Sequence, residues 1–112
     1  MKLPKAHLAV VERVKLCDYL LNPAHPDNGG KAAFFAELGF HVGNWPALAA
    51  AFRELAESSL VAKSLASAHG AKYVLDGRIG TPDGTRPWVR TVWIVDRGVE
   101  APRLVTAYPH QP

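Results

Sequence analysis

The segment His25-Pro26-Asp27-Asn28-Gly29-Gly30-Lys31 combines residue types suited to holding an anion. Adjacent glycines leave backbone N–H groups free to point at a negative charge where a helix begins. Lys31 then stands at the positive end of that helix, opposing the dipole by roughly 0.3–1 kcal/mol, a cost that a bound phosphate would reverse. Imidazole is the one side-chain type whose charge normally changes near neutral pH, so His25 is the first candidate for moving a proton. The plainer reading is a surface loop with a proline-flanked histidine and a solvated lysine. Nothing like GxxxxGK[ST] after a strand is present, so this is not a nucleotide-binding P-loop.

A second set of groups lies near the C-terminus. In an alternating strand pattern Asp76, Arg78, Trp88, Arg90, Thr106 and Tyr108 fall on one face, with His110 just beyond. Cleaving RNA through its own 2′-hydroxyl needs a base or an oriented hydroxyl, a cation for the developing phosphorane charge, and a donor to the leaving oxygen. Arg78 and Arg90 could hold phosphate, Thr106 and Tyr108 could donate hydrogen bonds, and Trp88 could stack on a base. Against this stands a solvated sheet face, on which Asp76 and Arg90 are only a cross-strand ion pair.

Metal chemistry has little to build on. His7, His25, His41, His69 and His110 are scattered, and the single cysteine, Cys17, has no partner at ligand spacing. No cofactor is implied. Cys17 sits on a mostly apolar helix face and reads as a small buried side chain.

These groups must be positioned by one domain, spanning residues 1–112. The chain is 48% apolar and 21% charged, which argues against disorder. The net charge of +3 permits an anionic partner without demanding one. Apolar runs such as 47–52 fall far short of the roughly 20 residues that cross a bilayer. No secretory leader is legible at the start, so the cytoplasm is the expected location.

Residues 1–12 read as a tail with a short apolar stretch, Leu8 to Val11, as a potential strand. A helical part follows over 13–58. Its first helix places Val14, Leu16, Cys17, Leu20 and Leu21 on one face and ends at Asn22-Pro23. The second runs from Lys31 to Leu38 and closes at Gly39. In the third, Asn44 caps and Pro46 occupies the first turn, while Trp45, Leu48, Ala49, Phe52, Leu55 and Ala56 recur at helical spacing. Residues 58–70 are small and polar, a weak connector.

From 72 to 108 the period changes to two, predicting an antiparallel three-stranded meander with room for a fourth short strand. The turn Thr81-Pro82-Asp83-Gly84 places Asp76 opposite Arg90 and Arg78 opposite Trp88. A second turn brings Arg90 beside Tyr108 and Val92 beside Thr106. Tyr73, Leu75, Ile79, Val89, Thr91, Trp93, Val95, Val105 and Ala107 then form the core face. The fold class is α+β, with N-terminal helices packed on a C-terminal antiparallel sheet.

The stretches KLCDYLLNPAHPDNGGKAAFFAELGF and TPDGTRPWVRTVWIVDRGVEAPRLVTAYP resemble a bacterial family of uncharacterised domains. Such domains are typically encoded beside a small partner protein and are regarded as toxins of toxin–antitoxin pairs. They are similar to the barnase/EndoU/colicin/RelE-type ribonucleases, in which N-terminal helices pack on an antiparallel sheet whose exposed face cleaves RNA. The family's NPxHPxGxxK-like stretch matches Asn22, Pro23, His25, Pro26 and Lys31, with the glycines placed late, at Gly29 and Gly30. Its PRLVTAYP-like ending matches Pro102 to Pro109.

The resemblance implies a metal-independent endoribonuclease with RNA as substrate and a small cognate antitoxin as partner. Its catalytic candidates are His25, Lys31, Arg90, Thr106 and Tyr108, with Arg78, Trp88, His110 and Gly30 binding substrate. His25 or Tyr108 would move protons, Lys31 and Arg90 would stabilise the phosphorane, and Thr106 would orient the phosphate. The competing reading is a non-catalytic module that docks a protein or a nucleic acid.

Overall fold

The computed structural model describes residues 1–112. A helix, α1 (Arg13–Lys15), runs directly into a π-helical turn at Leu16–Leu20. It is followed by α2 (Lys31–Glu37) and α3 (Trp45–Ser58). Four strands complete the chain: β1 (Val61–Ser67), β2 (Gly70–Arg78), β3 (Trp88–Asp96) and β4 (Arg103–Pro109). They form one antiparallel meander in the order β1-β2-β3-β4. The helices cover one face of this sheet. No helix is long and apolar enough to cross a membrane.

The core follows the two periodicities. From α3, Leu48, Ala49, Phe52, Leu55 and Ala56 are buried. They meet Leu75, Val89, Trp93, Leu104 and Ala107 from the sheet, with Leu16, Leu20 and Phe35 closing the other side. Gly77 permits the close approach of α3. A Cβ there would stand 2.9 Å from Leu55 Cγ and 2.5 Å from Ser59 Oγ. Buried Thr91 resolves the one polar demand of this layer. Its hydroxyl donates to the Leu75 carbonyl at 2.9 Å and accepts from Trp93 Nε1 at 2.8 Å.

Several expectations need correction. The fourth strand for which the pattern left room is present, but it lies at 61–67, within the stretch read as a weak connector, and pairs with β2 through a two-residue turn at Ala68-His69. Most of β1 is exposed on both faces, so it shows no alternation to read. The stretch Leu8–Val11 is not a strand. A 3₁₀ turn at Ala6–Leu8 leads to a single parallel bridge, Val10 to Arg103. Val14 is exposed rather than on the buried helix face. Asn44 stands at the start of α3, but its side chain turns back to accept from His41 N and donate to the Gly39 carbonyl. Cys17 is only half-buried.

The most consequential correction concerns β4. Val92 pairs with Thr106 while Trp93 pairs with Leu104, so Val105 is an extra residue in the strand. This bulge turns Val105 out of the core and gives its place to Leu104, which is fully buried. The β2–β3 register is as expected, with Asp76 opposite Arg90 and Arg78 opposite Trp88. Arg90 also pairs with Tyr108.

Candidate active site

The bulge lines one wall of a cleft of about 340 Å³, bounded by Lys15, Tyr19, His25, Asp27, Val105 and Thr106. The opposite wall comes from the end of the first helix and the loop after it. Wider winding in the π-helical turn brings Tyr19 over β4, where its hydroxyl meets Thr106 Oγ1 at 2.9 Å. That bond joins residues 87 positions apart and ties the helical half to the sheet.

Tyr19 is crowded by cations. Lys15 Nζ lies 5.4 Å and Lys31 Nζ 5.6 Å from its ring centroid, within cation–π range. The His25 ring meets it edge-on at 4.9 Å. His25 is fixed in turn, because its Nδ1 accepts from Asp27 N at 3.0 Å. In the neutral ring the proton therefore sits on Nε2, which makes Nε2 a donor.

Asn28, 3% exposed, holds this wall in place. Its Nδ2 donates to the carbonyls of Tyr19 (2.7 Å) and Leu20 (3.3 Å), and its Oδ1 accepts from Ala32 N (2.9 Å). One side chain thus satisfies the end of the first helix and the start of the second. Gly30 enters α2 at φ 87°, a conformation that suits glycine. The amides of residues 27, 28, 31 and 32 are all bonded within the loop. The Lys31 ammonium reaches back to the carbonyls of Asn28 (3.2 Å) and Asp27 (3.4 Å).

From the cleft, the outer face of β4 continues through Tyr108 toward His110. Arg90 grips Asp76 with two bonds, Nε to Oδ1 at 2.7 Å and Nη2 to Oδ2 at 2.8 Å. His110 Nε2 stands 3.4 Å from Asp76 Oδ2. The Arg90 hydrogen bond holds the Asp76 carboxyl below its usual range. Burial opposes this, and the charges of Arg90 and His110 add to it. Arg90 is pushed upward by the same bond, with Tyr108 contributing. Arg78 is engaged by the Arg86 carbonyl at 2.7 Å, and Trp88 is 40% exposed.

The sequence candidates therefore fall into two adjoining groups. His25, Lys31 and Thr106 gather around Tyr19, whereas Arg90 and His110 gather around Asp76, with Tyr108 beside Arg90. Arg78 and Trp88 lie at the far end, and Gly30 belongs to the backbone turn behind the cleft. The sequence alone does not single out Tyr19, Lys15 or Asp27. The available signal is the i, i+4 pairing of Lys15 with Tyr19 on the helix face next to the apolar one.

A family model described as a domain of unknown function (DUF6883) matches residues 2–111. No curated protein matches the sequence. A solved structure of a contact-dependent growth inhibition toxin–immunity protein complex from Klebsiella pneumoniae 342 contains a chain of similar fold. The TM-score is 0.73 at 17% identity, covering 96% of this chain and 97% of that chain.

Proposed function

The chain belongs to the DUF6883 domain family, and from that premise and the cleft we propose a toxin that cleaves RNA by transesterification without a metal. The observation that carries this reading is the cleft itself. It puts an imidazole, two hydroxyls and two ammonium groups beside a sheet face that continues into a guanidinium and an exposed indole. A chain of this fold in a complex of a growth-inhibition toxin with its immunity protein supports a toxin-like role, and with it a cognate partner protein.

In this reading a phosphate rests between Thr106 and Tyr108, and a base of the RNA stacks on Trp88. Lys15 and Lys31 supply positive potential, and His25 donates through Nε2 to a phosphoryl oxygen. Arg90, held on Asp76 through Nε and Nη2, adds a fixed positive charge beside the phosphate. The 2′-oxygen attacks phosphorus, the bond to the 5′-oxygen breaks, and the products end in a 2′,3′-cyclic phosphate and a 5′-hydroxyl.

The test is total RNA incubated with pure protein, with and without EDTA. Fragments ending in cyclic phosphate should form in both samples. His25→Ala and Lys31→Ala should lose both cleavage and growth arrest while remaining folded. A folded wild-type protein that leaves RNA intact at high concentration refutes the proposal. It would favour a docking module, a reading to which the neutralised Asp76–Arg90 pair lends support.

A further inference from the structure

Three side chains on the outer face have an arrangement that phosphate binding alone does not explain. Arg90 locks Asp76 through two short bonds, and Asp76 presents its Oδ2 to His110 Nε2. The His110 backbone is also held, its N–H donating to the Trp88 carbonyl at 3.3 Å. The imidazole is mostly covered, with its side chain 21% exposed. A carboxylate facing one ring nitrogen keeps the proton there and leaves the other nitrogen with a free lone pair. The negative charge of Asp76, 3.4 Å from Nε2, favours the proton on that nitrogen and so leaves the lone pair on Nδ1. His25 has the opposite arrangement, since its Nδ1 is occupied by the Asp27 amide.

We infer that His110 is the general base of the site, taking the proton of the attacking 2′-hydroxyl on Nδ1, and that Asp76 and Arg90 are its positioning residues. The inference rests on the RNA-cleaving reading above and names the proton acceptor that reading needs. The 2′-oxygen forms its bond to phosphorus as its proton passes to Nδ1. The bond from phosphorus to the 5′-oxygen breaks, that oxygen takes a proton from water, and His110 returns its own to solvent. Tyr108 lies between His110 and Thr106 on the same face of β4, so His110 is about 13 Å from Thr106 along the strand. A phosphate over Tyr108 is then approached from both ends. Asp76 is the charged group against His110. Arg90, bonded to Asp76, Arg78, two residues on from Asp76 in β2, and Tyr108, two residues back in its own strand, are the other charged and titratable groups on that face.

The experiment uses a short oligoribonucleotide and the full chain. His110→Ala should lower kcat by roughly 10²–10⁴ with KM little changed. Added imidazole should restore the rate in proportion to its free-base form, so that recovery rises with pH. Asp76→Asn should lower kcat and alter the acid limb of the pH profile, whereas Asp76→Glu should retain part of the activity. Independently of turnover, ¹⁵N spectra of the neutral His110 ring should show the proton on Nε2. The assignment is overturned if folded His110→Ala cleaves at the wild-type rate, if imidazole fails to restore it, or if the neutral ring carries its proton on Nδ1. Should wild-type protein cleave nothing, the ribonuclease reading falls, and the role of His110 falls with it.

Discussion

Removing the Asn28 side chain tests whether the cleft is built by one residue or by the loop as a whole. Asn28→Ala deletes two donations, to the carbonyls of Tyr19 and Leu20, and one acceptance, from Ala32 N. A net 0.5–1.5 kcal/mol for each of three bonds sums to about 2–4 kcal/mol, and the orphaned groups work toward the upper end. A domain of this length holds about 6–17 kcal/mol in all, so a substantial share would go. At about 4 °C per kcal/mol, Tm should fall by roughly 8–16 °C.

The loop is also free to open locally, so amide exchange at Ala32 and over 25–31 should accelerate more than exchange in β2 and β3. Asn28→Asp sharpens the test. It keeps an acceptor for Ala32 N but turns a buried anion toward two carbonyls. It should therefore be more damaging than Ala at neutral pH and recover in acid as the new carboxyl protonates. A thermal melt within about 2 °C of wild type, with unchanged exchange in the loop, would show that backbone turns alone hold the wall.

Thr91→Val keeps the shape of the side chain but strands the buried Trp93 indole N–H. It should cost about 1–3 kcal/mol in a urea titration, and a loss below about 0.5 kcal/mol would show that the indole finds another partner. Asp76 is held below the ordinary carboxylate range, so its contribution to stability is present above the unfolded value of about 3.9 and is lost as pH falls through the lower, folded value. The stability gap between wild type and Asp76→Asn should therefore narrow below about pH 4, and a gap constant from pH 2 to 7 contradicts this. Tyr19→Phe should weaken RNA cleavage and loosen β4 against the first helix, read as faster exchange at Thr106; unchanged values in both would remove the Tyr19–Thr106 bond from the argument. Lys15→Ala should flatten the salt dependence of single-stranded RNA binding by about 0.7 in log–log slope, and an unaltered slope would place Lys15 outside the bound phosphate's reach.

Much of the sheet was legible because its pattern is local. Alternation from Lys72 onward and a strong turn at Thr81–Gly84 fix the register that sets Asp76 against Arg90. β1 was not legible, since Ala62 to Ser67 are exposed on both faces and their pairing with β2 rests mainly on backbone bonds. The bulge at Val105 was hidden for a different reason. The run Leu104-Val105-Thr106-Ala107 alternates equally well in either phase, and only packing against Trp93 decides that Leu104 goes inward. The site followed the same division. His25 and Lys31 stand in a conspicuous loop, whereas Tyr19 enters the cleft through a change of helical winding that no spacing rule announces.

The bulge and the π-helical turn are each one residue out of step with their regular element, and they face each other across the cleft. A regular β4 would send either Val105 or Thr106 into the core and leave only one of them against Tyr19. A regular helix would rotate Tyr19 away from its place over β4. The Tyr19–Thr106 contact therefore depends on two local irregularities, each sacrificing regular hydrogen bonds, and Asn28 recovers part of that loss by binding the carbonyls of Tyr19 and Leu20. Thr106 and Tyr19 therefore owe their meeting to these two irregularities, whereas Asp76 and Arg90 are set against each other by regular β2–β3 pairing and His110 is carried beside them by the end of β4.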